Sequence, residues 1–321
     1  MFRISAIESF FPKKIVTNED LQKEFPEWSP EKIFNKVGVK QRHTASQEES
    51  VLELAVGASE KLLKNFDRDK IDFVLFCTQS PDYHLPTTAC VLQDRLGLRK
   101  NIGALDFNLG CSGFVYGLSI AKGLISTGVA STILLVTAET YTKYLRSDDK
   151  SNRTIFGDGA AATLLEKDET KQSFQFELGT DGSGYDNLIV RNGGGRNPIL
   201  EGDTMGNCLY MNGPKIFAFT IEKIPLIVNE ILKKNNLTKE EIDYFVFHQA
   251  NKHILTRQRE ILEIPEERFY INLEKRGNTV SSTIPLALKD LMDSGKLMSG
   301  QKIMLVGFGV GLSWGATIVE I

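Results

Sequence analysis

The chain has 321 residues, of which 41% are hydrophobic and 25% charged, as in a globular protein large enough for two layered lobes. No apolar run reaches membrane-spanning length, and the net charge of −3 argues against nucleic acid as the main partner. The four cysteines lack CxxC spacing, and the four histidines lack metal-ligand spacing. Residues 1–7 have a strand pattern without the features of a signal peptide, so we expect a cytoplasmic protein that enters no membrane.

Strands and helices alternate along the first half of the chain, which predicts a layered α/β fold. Ser46 and Glu49 form a capping box ahead of a helix at 50–66, and Pro86 is expected to open another helix. The other predicted elements are strands at 71–77, 102–107 and 132–138 and a helix that begins near residue 111 and ends before residue 128. The polar, glycine-rich stretch from Lys167 to Asn212 is the predicted crossover to the second half.

The second half of the chain repeats the pattern of the first. The repeated pairs are 71–77 with 242–248, 132–138 with 302–308, and 159–163 with 315–317. Because the pairs recur in the same order over a long separation, they predict two similar α/β halves rather than a solenoid of short units. We place the halves at residues 1–170 and 171–321.

Cys111 is the candidate nucleophile. It lies in the GCSG segment at 110–113, a predicted strand-to-helix turn whose glycines permit close approach of a substrate. The start of a helix favours the thiolate, the reactive form of a cysteine. On these residues alone a buried structural cysteine fits equally well, and Cys77, Cys90 and Cys208 are interpreted in that way.

His248 and Asn278 are the candidate partners of this thiol. The imidazole follows an apolar strand and is suited to donate to a thioester oxygen or to relay protons, although a helix-start histidine bonded to backbone fits as well. Asn278 by itself fits a turn better, but beside a histidine its amide would hold an oxyanion. Since reactive groups gather at the carboxyl ends of strands, two facing halves would bring the three residues into one cleft.

Two glycine-rich segments are less specific when taken alone. The GFGVGLSWG segment at 307–315 predicts a hairpin whose backbone N–H groups either face the cleft or only close a turn. Gly157-Asp158-Gly159 fits a turn with a structural aspartate.

Five segments together resemble the β-ketoacyl-acyl carrier protein (ACP) synthase III family of the thiolase-like superfamily, over nearly the whole chain. They are GCSG at 110–113, FGDGAAA at 156–162, HQAN at 248–251, GNT at 277–279 and GFGVGLSWG at 307–315. Each is weak alone, but their order and spacing are specific. The resemblance implies a thiolase-like five-layered αβαβα fold, a homodimer, and no cofactor or metal.

The resemblance also implies a decarboxylative Claisen condensation that starts fatty-acid or specialised acyl-chain synthesis. Cys111 would take an acyl group from acyl-CoA or acyl-ACP, with its own N–H and that of Val310 holding the oxyanion. Malonyl-ACP would then lose carbon dioxide, and His248 and Asn278 would hold the enolate that attacks the acyl group. Phe308 matches a family phenylalanine near the departing carboxylate. An alternative keeps the triad but transfers the acyl group to a hydroxyl or an amine without decarboxylation.

Neighbouring families fit less well. Thiolases use a second cysteine late in the chain, and this sequence has none after Cys208. Elongating ketoacyl synthases use two histidines, whereas the second position here is Asn278. Hydroxymethylglutaryl-CoA synthases need a glutamate in the segment that reads Thr78-Gln79-Ser80 here.

The positions that match the family's CoA-binding tryptophan and arginines depart from that pattern. They read Lys32, Lys36, Lys150 and His253, and Trp28 stands four places early. Lysine neutralises phosphate but cannot bind it through a planar fork, so we expect a weaker grip on CoA and an ACP-borne acyl donor.

Three further positions bear on substrate and partner. Leu85 stands where a bulky phenylalanine often limits the acyl pocket, which predicts a primer other than acetyl, and Val310 is expected to narrow the cleft. Arg257, on the helix after His248, belongs to a basic group suited to an acidic carrier protein, although an ordinary solvated helix face fits equally well. The other members of that group are Lys252, Arg259, Lys275 and Arg276.

Overall fold

The structure, a computed structural model, describes residues 1–198 and 206–321. The strands are β1 (Phe2–Phe10), β2 (Lys14–Thr17), β3 (Gln41–Thr44), β4 (Phe73–Cys77), β5 (Gly103–Phe107), β6 (Thr132–Glu139), β7 (Gly159–Lys167), β8 (Phe176–Thr180), β9 (Leu188–Val190), β10 (Leu209–Met211), β11 (Tyr244–Phe247), β12 (Lys302–Gly309) and β13 (Ser313–Glu320). The α-helices are α1 (Asn18–Glu24), α2 (Pro30–Val37), α3 (Val51–Leu63), α4 (Thr88–Arg95), α5 (Gly113–Ser126), α6 (Lys150–Ile155), α7 (Gly213–Lys234), α8 (Lys252–Ile261) and α9 (Thr283–Asp293).

Two sheets with the same strand pattern form the centre of the molecule. The first has the order β1-β7-β6-β4-β5, antiparallel from β1 to β6 and parallel from β6 to β5. The second has the order β8-β13-β12-β11, antiparallel from β8 to β12 and parallel between β12 and β11. A parallel bridge joins Phe245 of β11 to Phe269 at the edge of the second sheet. It occupies the position that β5 occupies beside β4 in the first sheet. The strands repeat as the sequence predicts, and the boundary between residues 170 and 171 stays a prediction.

The helices complete five layers. Helices α3 and α4 cover the outer face of the first sheet, and α7 covers the outer face of the second, with α8 packed on α7. Helix α5 contacts strands of both sheets, as does α9, so these two helices form the middle layer. A middle layer must be apolar on every side, and β6 beside it has all eight residues buried. The predicted αβαβα fold is confirmed.

The predicted starts of helices α4 and α3 differ from those in the structure. Pro86 lies in the loop before α4, which begins at Thr88. Ser46 and Glu49 exchange hydrogen bonds of 2.9 and 3.3 Å, but the residue that caps α3 is Ser50. The capping box therefore orders the loop ahead of the helix.

The crossover at 167–212 is not a plain loop, because β8, β9 and β10 lie within it; its residues 199–205 lie outside the described part of the chain. In the rest of the chain, no helix combines the length and the apolar content that a membrane span requires.

Candidate active site

Cys111 lies in the turn between β5 and α5, two residues ahead of the helix, and only 6% of it is exposed. The backbone N–H groups of Cys111 itself and of Val310, at the tip of the β12–β13 hairpin, act on its sulfur and favour the thiolate form. A Cβ on Gly309 would lie 2.9 Å from this sulfur, so only glycine allows the hairpin to come so near. The hairpin thus contributes an N–H group to the cleft.

The Cys111 thiol is neutral in the resting protein. Burial raises its pKa to about 12, the negative charge of Glu139 acts in the same direction, and the two N–H groups oppose them. The start of a helix is expected to favour the thiolate, and the backbone N–H groups of Cys111 and Val310 act in that direction, but desolvation outweighs them. Cys111 therefore needs a proton acceptor before it can attack a carbonyl.

His248 follows β11 and is 2% exposed. Its Nδ1 lies 2.7 Å from Thr283 Oγ1, which also lies 3.1 Å from the carbonyl oxygen of Val280. A carbonyl only accepts, so the Thr283 hydroxyl donates its single proton there and accepts from the Nδ1–H of His248. Burial lowers the pKa of His248 to about 3, which keeps the imidazole neutral with a lone pair on Nε2.

Asn278 is oriented toward this lone pair. Its Oδ1 accepts from the backbone N–H of Val280 at 2.8 Å, so its Nδ2 is the end directed at His248 Nε2, 3.5 Å away. An amide nitrogen only donates, which agrees with an unprotonated Nε2. His248 and Asn278 thus present one acceptor and one set of donors to the cleft.

The FGDG segment clamps the Asn278 turn. The N–H of Asn278 donates to the carbonyl of Ile155 at 2.8 Å, and the N–H of Gly157 donates to the carbonyl of Asn278 at 3.0 Å. A Cβ on Gly157 would lie 2.4 Å from the carbonyl oxygen of Arg276, so this contact requires glycine. Asp158 is structural, since it accepts from the N–H groups of Ala45 and Thr142 at 2.7 and 2.9 Å.

A narrow apolar cavity of about 50 Å³ brings the predicted residues together. Cys111, His248, Asn278 and Phe308 all line it, as the motif spacing predicts for one cleft. The Phe308 ring meets the His248 ring edge-on at 5.4 Å. The rest of the wall is mainly apolar: Tyr141, Ile155, Phe156, Leu188, Met211, Ile216, Ala250, Asn251, Ile254, Val280 and Gly309.

A wider cavity of about 710 Å³ adjoins the narrow one. The two share five lining residues, Ile155, Met211, Ile216, Asn251 and Ile254, so together they form one path toward Cys111. Lys36, Arg146 and Arg191 also line the wider part. Two arginines that the sequence analysis did not name therefore stand at this cavity beside Lys36, and the weak grip on CoA stays a prediction.

Of the other predicted substrate-binding residues, Lys32, Lys150, His253 and Arg257 lie outside both cavity linings. Lys32 and Lys36 lie over the Trp28 ring at 5.6 and 4.7 Å, and of these two lysines only Lys36 lines the wider cavity. The remaining three make local contacts: Lys150 pairs with Glu27, His253 stacks on Phe217 at 5.2 Å, and Arg257 pairs with Glu260 at 3.2 Å.

Leu85 is 83% exposed and is absent from the lining of the acyl cavity in its own chain. The expectation that it limits the pocket does not hold within one chain, because the loop before α4 directs this side chain to solvent. Tyr141 and Leu188, which motif reasoning missed, bound the cavity instead. Motif reasoning also missed Thr283 and Glu139, whose roles depend on contacts between distant parts of the chain.

Comparison with known proteins agrees with this geometry. The family model for 3-oxoacyl-[ACP] synthase III matches residues 105–182, and the model for its C-terminal part matches residues 232–321. A β-ketoacyl-[ACP] synthase III from Xanthomonas oryzae is 36% identical, covering 99% of this chain and 98% of the relative. One from Clostridium perfringens is 38% identical, covering 97% of each.

Solved structures give the same result. A 3-oxoacyl-[ACP] synthase III structure superposes with a TM-score of 0.97 at 44% identity, covering 100% of this chain and 99% of the other. The β-ketoacyl-[ACP] synthase III from Thermus thermophilus superposes with a TM-score of 0.91 at 36% identity, covering 99% of both chains. OleA from Xanthomonas campestris, which is 19% identical, shares the fold with a TM-score of 0.84, covering 99% of this chain and 96% of the OleA chain. The chain therefore belongs to the β-ketoacyl-[acyl-carrier-protein] synthase III family of enzymes.

Proposed function

We propose that this enzyme is a condensing acyltransferase that joins an acyl thioester primer to malonyl-ACP through an acyl-cysteine and so starts acyl-chain synthesis. One observation carries the proposal: Cys111, His248 and Asn278 line one buried cavity, where the backbone N–H groups of Cys111 and Val310 act on the sulfur. Nucleophile, proton acceptor and oxyanion donors thus occur in one desolvated site.

In the first stage Cys111 is acylated. Its thiol proton passes to the Nε2 lone pair of His248, the sulfur attacks the thioester carbonyl, and the N–H groups of Cys111 and Val310 hold the oxyanion. When the carbon–sulfur bond of the donor breaks, the leaving thiolate takes the proton from His248. The products are the acyl-enzyme and a free thiol.

In the second stage the bond between the malonyl methylene and its carboxylate carbon breaks, and carbon dioxide leaves. The electron pair forms an enolate, whose oxygen accepts from Asn278 Nδ2 and from His248 Nε2. The histidine donates in this stage as its other neutral tautomer: between the stages water in the cleft takes the Nδ1 proton and supplies one to Nε2, and Nδ1 then accepts from the Thr283 hydroxyl. The enolate carbon then bonds to the acyl carbon, the acyl–sulfur bond breaks, and the Cys111 thiolate recovers a proton from water.

The two cavities suggest how a substrate is held. The wider one carries Lys36, Arg146 and Arg191, cations suited to the phosphates of CoA or of the phosphopantetheine arm of ACP. The space of about 50 Å³ beside Cys111 suits a short acyl primer. Both donor types fit these side chains, so the choice between acyl-CoA and acyl-ACP is part of the test below.

A homodimer is the proposed assembly. Strand β5 is an edge of the first sheet, and unpaired N–H and C=O groups at an edge are a template for pairing with a second copy. Leu105 of β5 is 43% exposed, and Tyr83 and Leu85 are exposed apolar side chains in the neighbouring loop. Because Leu85 points away from its own cavity, it can limit a primer only in the partner's pocket.

The direct test is intact-mass measurement after incubation with a panel of acyl-CoA and acyl-ACP donors, followed by malonyl-ACP. We expect an adduct of acyl mass on the wild type, none on C111A, and release of carbon dioxide with a β-ketoacyl-ACP product. Transfer of the acyl group to a hydroxyl or an amine without carbon dioxide would favour the alternative. The absence of any adduct on Cys111 with every donor would overturn the proposal.

A further inference from the structure

Glu139, at the end of β6, is a buried carboxyl group that the proposed mechanism does not use. It is 0% exposed, and its partners are all neutral. The backbone N–H of Gln79 donates to both carboxyl oxygens at 3.2 and 3.1 Å, and the hydroxyls of Ser80 and Ser281, which can donate or accept, are hydrogen-bonded to the carboxyl group at 2.9 Å each. Within the described residues, no salt bridge involves this carboxyl group.

The partners of Glu139 contact both sides of the Cys111 turn. The Gln79 side-chain oxygen would lie 2.5 Å from a Cβ on Gly110, the residue before Cys111. The Ser281 Cβ would lie 3.7 Å from a Cβ on Gly113, the first residue of α5. Ser281 also follows Asn278 by three residues. One carboxyl group therefore joins the loop after β4 to the turn that carries Asn278, and the nucleophile lies between them.

Electrostatic repulsion also links Glu139 to Cys111. Burial raises the pKa of Glu139 to about 8, while its negative charge contributes to the raised pKa of the Cys111 thiol. Two negative charges in one desolvated site compete, so ionisation of one group disfavours ionisation of the other. The titratable groups coupled to Glu139 are Cys77, Cys111, Tyr141, Tyr144 and Asp158.

We propose that Glu139 is a positioning residue for the nucleophile: its carboxyl group holds the two segments that flank Cys111, and its charge controls how readily the thiol ionises. At neutral pH Glu139 keeps its proton, so loss of the Cys111 proton leaves a single negative charge in the site. Above about pH 8 the carboxylate forms and opposes the thiolate. The inference rests on the proposed function only in taking Cys111 as the nucleophile.

The test is the rate at which iodoacetamide alkylates Cys111, measured on the Cys111 peptide by mass spectrometry across the pH range. We expect E139Q to react about tenfold faster than the wild type near pH 9, because one opposing charge is gone, and at the same rate near pH 6.5. A purely structural role would change the rate at both pH values or at neither.

Two control variants separate charge from packing. E48Q removes one negative charge from an exposed position and is expected to leave the alkylation profile unchanged. S281A keeps the carboxyl group but loses a hydrogen bond that lowers the pKa of Glu139, so we expect a lower Tm and a flat part of the profile that moves to higher pH. In E139Q the flat part should disappear. An S281A profile that rises in a single step, as in E139Q, would overturn the proposal.

The wild type provides a measurement that does not depend on a variant folding. Because Glu139 ionises within the pH range studied, a plot of log rate against pH should flatten near pH 8 and then rise again. A single-step rise across the range would overturn the proposal. Either failure leaves acyl-adduct formation on Cys111 untouched, so the proposed function is tested separately.

Discussion

His248 Nδ1 and Thr283 Oγ1 lie 2.7 Å apart, and this hydrogen bond selects the tautomer that the histidine presents to the cleft. The Thr283 hydroxyl can accept from Nδ1–H while it donates to the Val280 carbonyl, or it can turn and donate to Nδ1. The first arrangement leaves Nε2 as a proton acceptor for Cys111. The second arrangement makes Nε2 a donor for the enolate.

Replacing Thr283 with valine removes this hydroxyl at almost constant shape. We expect kcat for the condensation to fall about tenfold with KM little changed, because the lost hydrogen bond, worth about 1–2 kcal/mol, acts on the histidine and not on substrate binding. Steady-state kinetics with malonyl-ACP measure the effect. T163V is the matched control, since the buried Thr163 hydroxyl on β7 has no hydrogen-bond partner in the described structure. An equal loss of kcat in both variants would contradict the role of Thr283.

The buried His248 predicts a characteristic pH dependence of stability. Its pKa is about 3 in the folded protein and about 6.5 when unfolded, so below pH 6.5 the unfolded state binds the extra proton. The free energy of unfolding therefore falls as the pH falls, by about 2 kcal/mol from this group between pH 6.5 and 5. Denaturant unfolding of wild type and H248Q at both pH values measures it. H248Q should lose less stability on acidification, and equal losses would contradict burial as a neutral imidazole.

The acylation rate of Cys111 should also reflect the low pKa of His248. Because His248 stays neutral well below its ordinary range, we expect no acid limb near pH 6.5 in the acylation rate of Cys111. Single-turnover acylation followed by intact mass across pH 5 to 8 measures this. A rate that halves near pH 6.5 would show that the imidazole titrates normally and is not desolvated.

The contact between Gly157 and the Asn278 turn predicts a large effect from one methyl group. In G157A the new Cβ would meet the Arg276 carbonyl at 2.4 Å, so the backbone that carries Asn278 must shift. We expect a loss of kcat of at least about tenfold and a lower Tm, since a small displacement of a catalytic group is costly. G123A is the control, because a Cβ on Gly123 of α5 meets nothing within 4 Å. Its Tm should be unchanged or slightly raised by the better helix propensity of alanine. Full activity in G157A would show that the clamp is not needed.

The edge strand β5 predicts a dimer that one charge can disrupt. L105K places a lysine on the exposed part of that edge, so we expect a monomer by light scattering where the wild type is a dimer. V129K changes a more exposed apolar residue, in the loop between α5 and β6, and should remain a dimer. A wild-type monomer, or an L105K dimer, would contradict pairing through β5.

The basic side chains of α8 predict a substrate-selective effect. Reversing the charges of Arg257 and Arg259 to glutamate should raise KM for ACP-borne substrates and leave KM for acyl-CoA unchanged, because only the carrier protein is large enough to reach this helix. The double variant K64E/K100E, at two exposed positions, is the charge-matched control. If KM for ACP substrates does not change, the helix is an ordinary solvated face.

The amino-acid sequence by itself determined the architecture and the members of the site. Alternating apolar strands and helices, repeated in the same order, specify two similar sheets, because the period of the pattern dictates which faces are buried. The GCSG, HQAN and GNT segments identified Cys111, His248 and Asn278, since each is a short contiguous motif.

Tertiary structure alone decided how those groups behave. The thiol of Cys111 is neutral because burial desolvates it, and Glu139, whose charge opposes the thiolate once it ionises, is held by Gln79, Ser80 and Ser281 from distant parts of the chain. The tautomer of His248 depends on Thr283, and the exposure of Leu85 depends on the path of one loop. Desolvation and long-range contacts have no local period in a sequence, so they become visible only when the chain is folded.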